Sequence, residues 1–300
     1  DGAQLTLINT TISENLGGIS SSAYSTNNCL LTLSDVVVTE NTTDGGIYIG
    51  SKVNFTMTGG EITNNEINGS SDGGGIRMYS NTSSALTNVL IAGNKTNGDG
   101  GGLAAVGIAD LILHNVVIKE NTALSKGGGI YFYGTSTDGV LTNVEISENT
   151  AHSGGGIYIK DSSPTIINTT ITRNILLDES GTNTAMGAGI GMELTTINNQ
   201  YGDICEPQII NSIIWDNTCA DGTSHSTNSD WYDCDDPDAI SLSPSYYSGE
   251  ENPIITYSNI ENGWEGIGNI AMDPLFTDLE NGNYTLSWAN YPESDATKSP

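Results

Sequence analysis

Short runs of four to six residues place apolar side chains at every second position along this chain. In GIYFYG at 129–134, Ile130 and Phe132 fall on one side and Tyr131 and Tyr133 on the other. Turns rich in Gly, Asn, Ser and Thr separate the runs, so the pattern predicts short strands joined by tight turns. Helices fit poorly, because glycine triplets, β-branched residues and asparagine all disfavour a helix interior.

The pattern repeats. A glycine followed by an aliphatic residue recurs at Gly18-Ile19, Gly46-Ile47, Gly75-Ile76, Gly102-Leu103, Gly129-Ile130, Gly156-Ile157 and Gly189-Ile190, at spacings of 28, 29, 27, 27, 27 and 33 residues. A second marker stays in phase with it, an aliphatic residue three before an asparagine. It gives Ile12/Asn15, Val38/Asn41, Ile62/Asn65, Ile91/Asn94, Ile118/Asn121, Ile146/Asn149, Ile171/Asn174 and Ile214/Asn217. Fixed-period strands with turn residues describe a solenoid in which each repeat is one coil. The expected fold is all-β, a parallel β-helix of about 8–10 coils with roughly 27 residues per regular coil, and the chirality of parallel crossovers makes it right-handed. Eight coils stacked at the strand spacing make a rod ~40 Å long.

The markers then have structural roles. Asn15, Asn41, Asn65, Asn94, Asn121, Asn149, Asn174 and Asn217 stack at one corner, where side-chain amides hydrogen-bond up the rod and asparagine tolerates left-handed turns. The glycines mark a corner without room for a Cβ.

The period loosens after Asn174. The domains read as regular coils over 1–217, an inserted acidic and aromatic loop over 218–253, and closing coils with a C-terminal segment over 254–300. Asp1 lies close to a strand with nothing before it to cover the first coil, which predicts neighbouring coils or end-to-end stacking through open strand edges.

Composition narrows the partners. With 8 Lys and Arg against 36 Asp and Glu, the formal charge is −28. That excludes phosphate-driven nucleic-acid binding and disfavours polyanions. No apolar run reaches the length of a membrane span.

Three features carry candidate chemistry. Outward positions after each glycine corner stack into two columns that place Tyr48, Arg77, Tyr79, Tyr131, Tyr133, Tyr158 and Lys160 on one flat exposed face, suited to glycan or protein surfaces. A second outward column, Ser13, Thr39, Thr63, Ala92, Lys119, Ser147 and Thr172, reads as a broken Ser/Thr ladder. In DWYDCDDPD, Asp230, Asp233, Asp235, Asp236 and Asp238 offer hard oxygen ligands for calcium, while Cys219 and Cys234 bracket the loop as a disulfide candidate. Catalysis has less support. The basic residues are scattered, the three histidines lack metal-ligand spacing, and no acid pair stands on a regular strand.

The paired "GG(G/A)I" and "aliphatic-x-x-N" repeats over about Leu5–Asn217 resemble the GGAI and FxxN repeats of chlamydial polymorphic outer-membrane proteins, which are β-helical autotransporter adhesins. Here Ile or Val replaces the Phe of FxxN throughout. The segment "IITYSNIENGWEGIGNIAMDPLFTDLENGNYTLS" looks like the closing coils of large secreted bacterial β-helix proteins. The resemblance implies a secreted or cell-surface adhesin or stalk. Its partner would be a glycan or a protein on a host or neighbouring cell. A polysaccharide lyase or glycoside hydrolase on the same fold is the alternative.

Overall fold

A computed structural model describes residues 3–23, 28–79, 83–107, 110–134, 139–177, 187–193, 206–219, 240–242 and 253–286. The chain winds as a parallel β-solenoid whose strands stack into sheets of sixteen, eight and seven. The sixteen-stranded sheet consists of two strips joined by the eleven-residue strands Cys29–Thr39 and Val53–Thr63. Six turns carry the eight-stranded sheet from Ile19 to Ile190, and a longer turn reaches Ile240–Leu242.

Register follows the repeat. Ile62, Ile91, Ile118, Ile146, Ile171, Ile214 and Ile260 stack in one file, each at most 1% exposed. Burial of such files is the main stabilising term, on the order of 1.5–3 kcal/mol per large aliphatic side chain.

Two corners turn the chain through left-handed residues. One lies between the two strips, at Asn88, Asn115, Asn143, Asn168 and Asn211, with φ between 50° and 56°. The other falls on Glu14, Glu40, Asn64, Gly93, Glu120, Glu148, Arg173 and Asp216, each directly before a ladder asparagine. This corrects the expectation that the ladder asparagines themselves take the left-handed turn. The preceding residue bends the chain so that the next amide points inward.

There the amides form a continuous ladder from Asn15 to Asn217, each Nδ2 donating to the Oδ1 of the next coil at 2.8 to 3.2 Å. Each Oδ1 also accepts the backbone N–H of the asparagine before it. From Asn41 to Asn217 they are at most 1% exposed, so the polar column is satisfied internally.

The segment read as an insertion contributes two solenoid strands, Thr218–Cys219 and Ile240–Leu242. After the last coil, the chain comes round to lie beside it in the same direction, through Tyr257 N–H to Ile267 O and Ile270 N–H to Ser258 O. It then leaves the solenoid as an antiparallel hairpin, Phe276–Asp278 with Asn283–Leu286. Tyr284 Oη donates to Glu148 Oε1 at 2.6 Å and Arg173 Nη1 to Leu279 O at 2.6 Å, which pins the hairpin to the coils. The Ser/Thr column is therefore not an open array. Ser147 and Thr172 are fully buried where the hairpin lies against their strands.

Candidate ligand-binding face

The outer face of the eight-stranded sheet is built one residue per coil. Parallel register stacks Tyr48, Arg77, Ala104, Tyr131, Tyr158 and Gly191 in one column. Tyr79, Val106, Tyr133, Lys160 and Glu193 form the column beside it. The strands alternate, so the residues between these columns face the core and these face outward.

At one end the Arg77 guanidinium lies 4.7 Å from the Tyr48 ring centre and 6.0 Å from that of Tyr79, within cation–π range. Tyr131 stands 6.2 Å from Tyr133 and 6.1 Å from Tyr158, ring centre to ring centre. Lys160 Nζ sits 5.7 Å from the Tyr133 ring.

The face is only partly open. Tyr48, Arg77, Tyr79, Tyr133 and Lys160 are half-buried, but Tyr131 is 6% exposed and Tyr158 is fully covered, in a small cluster with Ala104. The expectation that all these tyrosines are exposed fails at those two positions: Tyr131 is stacked against the rings of Tyr133 and Tyr158, and a charged cluster covers Tyr158. Lys126 reaches from the glycine corner to 4.6 Å above the Tyr158 ring, and Glu193 bridges it. Glu193 accepts from Lys126 Nζ and Tyr158 Oη through Oε2, both at 2.7 Å, and from Lys160 Nζ through Oε1 at 2.9 Å. Burial opposes ionisation of Glu193, yet the three donors outweigh it and hold its carboxyl down at about 2. Burial pushes both the Tyr131 and Tyr158 hydroxyls well above the ordinary phenol range.

A second group escaped the reading of the strands because it sits at the corner. Asp72, Asp99 and Lys126 are spaced 27 residues apart, the coil period, which was the available signal. Asp72 Oδ1 accepts from Asp99 N–H and Asp99 Oδ1 from Lys126 N–H, both at 3.0 Å. Tyr79 Oη donates to Asp72 Oδ2 at 3.4 Å. Burial, with the Asp99 charge beside it, raises the Asp72 carboxyl above its usual range. Two carboxylates on neighbouring coils thus edge the aromatic columns, although each commits one oxygen to the backbone of the next coil.

Cys219 is disulfide-bonded; Cys234, its expected partner, lies outside the described residues, as do Asp230, Asp233, Asp235, Asp236 and Asp238. Cys29 is a free thiol.

Residues 21–201 match the family model described as right handed beta helix region. No curated protein and no solved structure matches the chain.

Proposed function

The chain belongs to the right-handed β-helix family, and on that footing we propose that it is a non-enzymatic adhesin or stalk module of a secreted or cell-surface protein. It binds glycan or protein through the half-exposed part of the aromatic face. The observation that carries this reading is the register-locked row in which Tyr48, Arg77, Tyr79, Tyr133 and Lys160 interleave rings and cations on one flat surface. Ring faces take the C–H side of a sugar or an apolar side chain, and the flanking cations and Asp72 take hydroxyl or amide groups. The rigid ladder beneath keeps the row preorganised, which lowers the cost of binding.

A carbohydrate-active enzyme is the second reading, and Asp72 stacked beside Asp99 favours it, because acid–base glycosidic cleavage needs a pair of carboxyls and burial raises the Asp72 carboxyl in the direction a general acid requires. Against it, both carboxylates already cap backbone amides.

Electrophoresis through gels cast with neutral or acidic polysaccharides separates the two readings. Retardation without clearing of the polymer, lost in Tyr79→Ala with Tyr133→Ala, supports the binding face. Clearing of the polymer, lost in Asp72→Asn, overturns it in favour of the enzyme. Unaltered migration in every polymer removes the sugar-binding form of the proposal.

A further inference from the structure

The pinned hairpin does not lie flush with the solenoid. Between it and the coils runs a groove of about 550 Å³ that includes Asn115, Asn143, Asn168, Glu145, Thr170 and Tyr284 in its walls. It lies along the sixteen-stranded sheet, not on the eight-stranded sheet that carries the aromatic face. We propose that this groove is a second binding site, for a linear, uncharged polysaccharide lying along the rod axis.

The floor of the groove has the right period and the right chemistry. Asn88, Asn115, Asn143, Asn168 and Asn211 form a second, exposed amide ladder. From Asn115 onward each Nδ2 gives one proton to the Oδ1 of the preceding coil, at 2.6 to 3.2 Å. An amide has two N–H protons and two acceptor sites on oxygen. Asn115, Asn143 and Asn168 therefore each keep one donor and one acceptor for a ligand, repeated at the ~4.8 Å strand spacing. A sugar hydroxyl both donates and accepts, and successive hexose units present such hydroxyls at nearly the same repeat.

The walls select against other ligands. Among the described residues Glu145 is the one charged side chain lining the groove, so that lining offers no cation to receive a uronate or a phosphate. Ser147 Oγ donates to Glu145 Oε1 at 3.0 Å, which leaves Oε2 to accept from a ligand hydroxyl. A peptide adding itself as a strand finds no edge here, because Val117–Lys119, Glu145–Ser147 and Thr170–Thr172 are each paired on both sides. On the hairpin side the Tyr284 ring is held edge-on to Phe276, ring centres 5.6 Å apart, so this wall is fixed before any ligand arrives.

Calorimetric titration of the whole chain with cellohexaose, mannohexaose and hexagalacturonate tests the proposal. The expected result is binding of at least one neutral hexasaccharide and none of the hexauronate. Asn143→Gly keeps the left-handed backbone at that position (φ 56°) while removing the amide, and Glu145→Gln leaves the shape unchanged. Each is expected to weaken the neutral sugar about tenfold, the loss of one hydrogen-bonding group. The pair Tyr79→Ala, Tyr133→Ala is expected to leave this binding unchanged, which keeps the test independent of the aromatic face. Absence of neutral-sugar binding, equal binding of the uronate, or indifference to both groove variants overturns the proposal. If Asn143→Gly fails to fold, Glu145→Gln alone decides.

Discussion

Tyr158 Oη donates to Glu193 Oε2 over 2.7 Å, linking two coils on the outside of the solenoid. Lys126 and Lys160 close on the same carboxylate, so one acidic side chain joins the glycine corner, one strand and the next. A half-buried cation that loses its partner keeps its desolvation cost. Replacing Glu193 by Gln is therefore expected to destabilise the fold by about 1–3 kcal/mol at neutral pH, the usual loss for such a pair discounted for partial exposure. The unfolded chain takes up the proton first, so this stability is complete above the ordinary value of 4.5 and drains away as pH falls toward about 2. Thermal melts of both proteins between neutral pH and pH 3 check this: their curves should converge on acidification, and a constant gap sinks the idea.

The two amide ladders use the same residue for unequal ends. Asn121 is fully buried, accepts from Asn94 N–H and Nδ2 at 3.0 and 2.9 Å, and donates to Ile91 O and Asn149 Oδ1 at 3.0 and 2.9 Å. Asn121→Ala strands those partners in the interior and is expected to cost about 3–5 kcal/mol. Asn115, on the outer ladder, is open to water. Asn115→Gly is expected to cost under about 1 kcal/mol, since water replaces the lost bonds. Chemical denaturation of the two variants settles the contrast, and equal losses would mean that burial is not what distinguishes the ladders.

Much of this was legible because stacking forces sequence period and spatial register to coincide. The pairing of Tyr131 with Tyr158, or of Ile118 with Ile146, follows from counting 27 or 28 residues. What resisted counting came from contacts that break the period. Glu193 meets Lys126 across 67 residues, and Tyr284 meets Glu148 across 136. The cover over Tyr158 and the groove under the hairpin depend on those meetings. Asp72 and Asp99 kept the period but sat in turns, where alternation gives no side-chain direction. The left-handed corner before the ladder asparagines was hidden because Glu or Arg, poor left-handed formers, hold it at Glu14, Glu40, Glu120, Glu148 and Arg173; the buried amide beyond them offsets a local cost of about 1–2 kcal/mol.

Glycine at the corner is held by the next coil's backbone. A Cβ on Gly129 would stand 2.6 Å from Gly156 O, and neither carbonyl nor sheet can withdraw without opening the stack. Gly129→Ala is expected to lose more than about 3 kcal/mol, as strained core insertions do. Gly69, where a Cβ meets nothing within 4 Å, is the control: Gly69→Ala should be neutral or stabilise by about 0.5 kcal/mol through the unfolded chain. Comparable melting points for the two variants would refute a steric role for the glycine corner.

The hairpin should behave as a unit separable from the rod. Its link to the coils runs through the Tyr284 hydroxyl on Glu148 and Arg173 Nη1 on Leu279 O, and no strand of the hairpin pairs with the solenoid sheets. Burial and the Glu148 carboxylate hold the Tyr284 hydroxyl above the ordinary phenol range, so it remains a donor at any pH where the protein is handled. Tyr284→Phe removes that donor and leaves Glu148 near Arg173 at 3.9 Å. The expected cost, about 1–2 kcal/mol for a hydrogen bond to a charged acceptor, falls on detachment of the hairpin and not on the solenoid. Amide exchange over 276–286 should therefore speed up about tenfold or more. Exchange in the strands Val117–Lys119 and Glu145–Ser147, paired on both sides, should stay slow. A uniform acceleration across hairpin and coils would instead show that the two unfold as one body, with the hairpin part of the solenoid's cooperative unit.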